Sequence, residues 1–339
     1  MIKQPFEIKT VQKKYRMLIA GFPGIGKTTI ALSAPKPLLI DVDKGLDRVA
    51  VQHRTTFDQP LNYEELLKDL NTDLSPYETI VIDTGGKLLD LMKPYVIKQD
   101  AKNGQKDGQT LSMKGYGAVG REFARLMDYI AYTLNKHVII VFHAKEDKDG
   151  EATKLRILIE GATKDNVWQP MDIGGFVEMY NGKRTIGFDN CERYYAKGTH
   201  GIKGIREIPN LDDGTPNVFI TKLFEEMDNN IAQEADFYEE DRKQYEKVMN
   251  DLAPKIEEMT FETVHDVLTL IKTAPHKLTS EKELKHMFTD KVKDLGLIWN
   301  KETKKYEQLS TKETTVEPIV EQVEEVKDDK VSDNTEPTE

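Results

Sequence analysis

Gly21, Phe22, Pro23, Gly24, Ile25, Gly26, Lys27 and Thr28 form a complete G-x-x-x-x-G-K-[ST] phosphate-binding loop. Each residue type follows from the ligand. Glycines let main-chain N–H groups converge on a phosphate chain, the Lys27 ammonium reaches the β- and γ-phosphates, and the Thr28 hydroxyl ligates Mg²⁺. The loop follows an apolar run ending at Ala20 and opens a helix through Thr29, Ile30, Ala31 and Leu32 that stops before Pro35. A row of N–H groups would then face a triphosphate, so ATP and Mg²⁺ are the expected cofactors.

A loop of this kind needs a carboxylate near its metal. Asp83 ends the run Ile80-Val81-Ile82 and would emerge at the C-terminal edge of a strand as that ligand; a cap for the helix that follows also suits it and uses the same strand end. The next residue is Thr84 rather than Glu, so a base to activate water must come from elsewhere. A second strand ends Leu39-Ile40-Asp41-Val42-Asp43, and Asp43 would project toward the γ-phosphate with Asp41 on the same side. Both also read as solvated strand-end carboxylates. A third strand ends at His143, which could sense the γ-phosphate or simply pack.

These residues need a scaffold that gathers strand ends. Tyr15–Ala20, Pro37–Val42, Thr79–Asp83 and His137–His143 are near-continuous Val/Ile/Leu runs separated by amphipathic stretches. That pattern predicts an α/β fold with a mainly parallel sheet buried on both faces. Gln99–Gly117 reads as a mobile polar loop, and Val119–Leu134 as a helix. Lys145–Thr163 is a charged segment with a turn signal at Asp149-Gly150, and Arg184–Phe188 and Arg193–Lys197 are strand-like. From about Asn229 the composition turns to Glu, Lys and Met at helical spacing. Val264, Val267, Leu268 and Ile271 mark one helix face, and Ser280-Glu281-Lys282-Glu283 reads as a capping box. The reading is a nucleotide-binding domain over residues 1–228, a small helical module over 229–309 and a disordered acidic tail over 310–339.

GFPGIGKT, LIDVDKGL, TIVIDTGG and VIIVFHA, in that order over roughly residues 10–222, resemble the RecA-like ATPase core of the P-loop NTPase AAA-domain family. The closer likeness is to phage RecA-related ATPases of single-strand annealing and recombination, the fourth group of the Sak proteins. The resemblance implies an ATPase that binds single-stranded DNA, works as a homo-oligomer and meets a single-strand-binding protein. It places the P-loop lysine on Lys27, the metal ligands on Thr28 and Asp83, and the γ-phosphate sensor on His143. The family's catalytic glutamate falls on Asp43, which is one methylene, about 1.5 Å, shorter. Slow hydrolysis would follow. DNA contacts would come from Lys102, Lys106, Lys114 and Tyr116 in the first loop and Lys145, Lys148, Lys154 and Arg156 in the second. A basic residue completing the neighbouring subunit's site falls on Lys197, although the usual Lys-Asn-Arg pattern is absent.

Composition excludes several other classes. A single cysteine, Cys191, leaves no internal disulfide and, with seven histidines, no structural zinc site. No apolar run is long enough for a membrane span and the start lacks a leader, so a cytoplasmic protein is expected, in the host cytoplasm if phage-encoded. The net charge of -11 is uneven: residues 1–222 carry +3, 223–309 carry -7 and 310–339 carry -7. Only the front could meet phosphate, and the acidic end would compete with it. The competing readings are a replicative helicase or loader and a nucleotide-gated scaffold with little turnover.

Overall fold

In a computed structural model of the chain, which describes residues 13–149, 152–159, 166–211 and 214–308, the apolar runs become strands of one nine-stranded sheet. The strands are β1 (Arg16–Gly21), β2 (Pro37–Asp41), β3 (Phe57–Asp58), β4 (Thr79–Asp83), β5 (His137–Asp149), β6 (Ala152–Ile157), β7 (Ile173–Tyr180), β8 (Lys183–Gly187) and β9 (Ile205–Glu207). They lie in the order β3-β2-β4-β5-β1-β7-β8-β9, with β6 paired to β5. The first six of that path run parallel, while β8, β9 and β6 pair antiparallel. The fold is therefore α/β with a mainly parallel sheet, as the strand runs imply, and the parallel arrangement brings the ends of β1, β2, β4 and β5 to one edge.

Both faces are covered. Leu18, Ile40, Ile82 and Ile140 face a core completed by Met92 of α3 (Gly85–Gln99) and Phe123 of α4 (Met113–Asp128). Their sequence neighbours Ile19, Leu39, Val81 and Ile139 face Ile30 of α1 (Lys27–Ala31) and Phe224 of the 39-residue α5 (Phe219–Glu257). A strand whose successive side chains are all buried has to be apolar throughout, which is why these runs are legible. A short α2 (Tyr63–Asp69), capped by Asn62 accepting from the Glu65 N–H at 2.8 Å, lies between β3 and β4.

The chain divides into two units, Met1–Glu240 and Asp241–Glu339. The second contains the last part of α5, then α6 (Val264–Thr273), α7 (Ser280–Asp294) and a hairpin of β10 (Leu297–Asn300) and β11 (Lys305–Gln308). Its own core gathers Leu252, Ile256, Val264, Ile271, Leu284 and Phe288. The α7 cap is Thr279, and Ser280 is instead buried, its hydroxyl donating to the Lys277 carbonyl, so the expected capping box does not form. The stretch 310–339 lies outside the described residues.

Four segments of the first unit depart from expectation. Lys145–Thr163 is largely a β-hairpin, because β5 continues to Asp149 and β6 returns along it. Buried Ala144, Leu155 and Ile157 hold the hairpin down while most of its other residues are charged, and that charge hides the strand pattern. Its residues 150, 151 and 160–163 lie outside the described residues. Gln99–Gly117 is ordered: a turn at Ala101–Asn103, a bridge between Gly104 and Leu111, then α4, which begins at Met113 under a Ser112 cap. Arg193–Lys197 is not a strand, and only Lys197 bridges to Gly174. The strand that does lie beside β1 is β7, whose Gly174-Gly175 pair dilutes its apolar signal. A Cβ at Gly174 would stand 2.5 Å from the Trp168 ring, and one at Gly175 2.6 Å from Ile186.

Candidate nucleotide site

At the C-terminal edge of the sheet β1 gives way to the loop Phe22–Gly26, which turns into α1. Gly24 and Gly26 hold φ of 78° and 88°, the left-handed region that suits glycine. Gly21 is glycine for another reason: a Cβ there would lie 2.7 Å from the Val177 carbonyl oxygen of β7. α1 is held from behind, since Asn217 Nδ2 donates to the Thr29 carbonyl at 2.8 Å and Ser33 accepts from Ile220 N at 2.9 Å.

Thr28 and Asp83 meet across the intervening strand β5, with Thr28 Oγ1 donating to Asp83 Oδ2 at 2.5 Å. Lys27 is 4% exposed and its ammonium donates to the Phe22 carbonyl of its own loop at 2.8 Å. Burial pushes the Lys27 ammonium down to about 8, against the opposing pull of Asp83. Burial likewise pushes the Asp83 carboxyl up to about 6, against the Thr28 hydrogen bond and the Lys27 charge, with Asp43 and Asp41 adding to the rise. Three groups thus share a desolvated spot that phosphate and metal charge would complete. Hydroxyl and carboxylate are hard oxygen donors and fit a Mg²⁺ whose other ligands are phosphate oxygens and water. Among the described residues no cluster of three or more His, Cys, Asp or Glu is placed to hold a metal, and this kind of site does not need one.

Asp41 and Asp43 part company. Asp41 is buried and accepts from Gly45 N at 2.8 Å, Leu46 N at 3.2 Å and Gln59 Nε2 at 2.8 Å, so it fastens the turn after β2. Asp43 is tied to the site through its own N–H, which donates to the Asp83 carbonyl at 3.0 Å. Its carboxylate pairs with Arg48 at 3.1 Å. His143 ends the parallel part of β5. Its Nδ1 is buried without a hydrogen-bond partner, and burial, then the Lys27 and Arg48 charges, hold the ring below its ordinary value while Asp43 pulls the other way. Lys27, Thr28, Asp83, Asp43 and His143 are therefore brought together.

Lys197 is not among them. Its bridge is to Gly174, which lies opposite Leu18 of β1, and its ammonium donates to the Met171 carbonyl at 2.5 Å. Lys197 instead borders a cavity of about 540 Å³ with Arg156, Trp168, Phe176 and Tyr195. Of the two expected DNA segments, the first has Lys102 and Lys106 exposed, Tyr116 packed on the core and Lys114 paired with Asp100 at 2.6 Å. In the hairpin Lys145 stands directly opposite Arg156, and Lys148 opposite Thr153.

Two cations escaped the sequence reading. Arg48 reaches back five residues to Asp43, and no motif marks it. Arg184 of β8 lies against the loop: its Cζ is 3.2 Å from where a Gly26 Cβ would be. Only the β7–β8 pairing brings Arg184 there, so spacing alone could not have revealed it.

A family model described as an AAA domain matches residues 13–200, more than half of the chain. No curated protein matches the chain in sequence. Among solved structures, an ATPase domain aligns with 11% identity and a TM-score of 0.37 over 58% of this chain and 82% of its own. A prototypical ATPase from the type III secretion system of pathogenic bacteria aligns with 12% identity and a TM-score of 0.32, over 49% and 52%.

Proposed function

The chain belongs to the AAA-domain family of P-loop ATPases, and on that premise we propose that it binds ATP with Mg²⁺ at Gly21–Thr28 and hydrolyses it. The nucleotide cycle organises a homo-oligomer on single-stranded DNA and serves strand annealing and homologous recombination in phage DNA metabolism. The observation that carries the nucleotide reading is the Thr28–Asp83 contact beside the buried Lys27. Those groups bind the triphosphate tail, and the metal they would hold supplies charge neutralisation at the phosphates. On this reading Asp43 takes a proton from the attacking water, and His143 registers the γ-phosphate.

The DNA reading draws support from the hairpin. Directly opposed like charges destabilise a sheet pair, and Lys145 and Arg156 are such a pair; on the next rung of that face Asp147 stands opposite Lys154, so three cations meet one carboxylate and the strip has an excess of positive charge that an anion would offset. Phosphate oxygens of a nucleic-acid backbone suit that position. The engagement of Asp43 by Arg48 favours a second reading, in which the protein binds ATP as a gate and turns it over little.

Phosphate release by the wild type and by Lys27→Ala, with and without single-stranded DNA, separates these readings. Turnover stimulated by DNA in the wild type and lost in Lys27→Ala is the expected result. Nucleotide binding without turnover selects the gate, and no saturable Mg-ATP binding by the wild type rejects both. Annealing of complementary strands by the wild type and by Lys27→Ala, each with and without ATP, tests the DNA role separately: rates that ignore both ATP and Lys27 would detach it from the nucleotide.

A further inference from the structure

β7 and β8 carry a cation to the phosphate-binding loop from within the same chain. Val177 of β7 pairs with Gly21, the last residue of β1, so β7 continues past the point where the loop begins. Arg184 of β8 sits opposite Met179, two residues farther along, and therefore stands beyond the sheet edge. Arg184 and Ile186 share one face of β8, and Ile186 packs in the same core as Ile30 of α1. The side chain is thus directed to the α1 side, where Cζ, Nη1 and Nε lie 3.2, 3.4 and 3.5 Å from the position of a Gly26 Cβ.

Nothing of opposite charge holds it there. The neighbouring carboxylates have other cations: Glu178 pairs with Arg193 at 3.1 Å, Glu207 with Lys183 at 2.6 Å and Glu226 with Arg206 at 2.5 Å. Arg184 forms no ion pair among the described residues, and its Nε is buried without a hydrogen-bond partner. A guanidinium cannot shed its proton, so burying one of its N–H donors unpaired is costly unless an anion arrives. The nearest designed place for an anion is the loop it touches.

We infer that Arg184 is a nucleotide-binding residue that contacts the polyphosphate of the bound nucleotide from within the same subunit. This rests on the nucleotide reading above and adds to it a phosphate ligand that neither loop motif nor neighbouring subunit supplies. A fork of N–H donors matches phosphate oxygens two at a time, which a lysine cannot do. Lys197, tied to a backbone carbonyl, is not required for this contact.

The test is calorimetric titration of the full chain with ATP, ADP and AMP in Mg²⁺, comparing wild type, Arg184→Gln, Arg184→Lys and Lys27→Ala. Loss of one charge-assisted contact predicts ATP and ADP binding weakened about ten- to hundredfold in Arg184→Gln, with partial recovery in Arg184→Lys. AMP binding should change less. Thermal melting without nucleotide should be the same for wild type and both Arg184 variants, while the rise in melting temperature given by Mg-ATP should shrink in Arg184→Gln. Should Arg184→Gln fail to fold, Arg184→Lys decides by whether ADP affinity drops. Equal ATP and ADP affinities in wild type and Arg184 variants overturn the inference while Lys27→Ala, still losing binding, leaves the nucleotide reading standing. An AMP loss as large as that for ATP also overturns it, because the contact would then be to the nucleoside or the α-phosphate alone and not to the phosphates beyond it. A wild type that takes up no nucleotide ends both.

Discussion

Asp43 reaches the site with its carboxylate already engaged. Its N–H holds the Asp83 carbonyl, which fixes the backbone beside the proposed metal ligands, while its side chain is paired with the largely exposed Arg48. An ion pair that open to solvent is worth about 0–1 kcal/mol, so Arg48 can mask the carboxylate only weakly. Asp43→Asn keeps the size and removes the proposed base. Turnover should fall about 10²- to 10⁴-fold while Mg-ATP affinity stays the same, as for loss of a general base. Arg48→Gln should raise basal turnover, by no more than about fivefold. Steady-state phosphate release beside equilibrium nucleotide titration checks both. A fall in Arg48→Gln would make Arg48 a contributor to phosphate charge rather than a mask, and unchanged turnover in Asp43→Asn would move the base elsewhere.

Between elements, the tie between the beginnings of β1 and β5 runs through His137. Its Nδ1 accepts from Tyr15 N at 3.0 Å, and its ring stacks on Phe224 of α5 with centroids 4.7 Å apart. Burial, reinforced by Lys14 and opposed by Glu78, pushes the ring down to about 4. The native state therefore refuses a proton that the unfolded chain accepts below its ordinary value near 6.5. Stability from this residue is complete above about pH 6.5 and drains away as pH falls toward 4, by at most about 3 kcal/mol. His137→Asn can offer Oδ1 in place of Nδ1 without titrating. Urea unfolding of both proteins at about pH 7 and about pH 5 should show the wild-type advantage narrowing at the lower pH; a constant gap would mean that His137 does not titrate between them. The same element logic explains what could be read beforehand. β1, β2, β4 and most of β5 are buried on both faces, and a strand so placed must be a continuous apolar run. The outer part of β5 with β6 is buried on one side only, so its charges resemble a loop. β7 is disguised by glycines that contacts with Trp168 and Ile186 demand. The phosphate-binding loop is local in sequence and was legible. Arg184 and Arg48 matter only through pairings that bring distant or looped-back residues together, and Asp41 looked like Asp43 until its three hydrogen bonds were placed.

For the whole molecule, charge distribution governs which polyanion the front of the chain can meet. The net -11 is the sum of a slightly basic 1–222 and two acidic stretches, of which 310–339 alone holds -7. If nucleic acid binds the Lys145–Arg156 rung as proposed, an acidic stretch tethered to the same chain would be at high local concentration and would compete for it. Removing 310–339 leaves the described residues whole and shifts the formal charge to -4, because seven of the eleven excess negative charges go with it. The shortened chain should bind single-stranded oligo-dT several-fold more tightly than the full chain at low salt. The difference should close as added salt shortens the screening length from about 10 Å toward about 3 Å, since competition that acts through charge alone is screened by salt. Fluorescence anisotropy across a salt series measures this directly. Parallel binding curves for the two chains at every salt concentration would show that the acidic stretch does not visit the basic hairpin. A gap that persists at high salt would mean that it acts through something other than its charge.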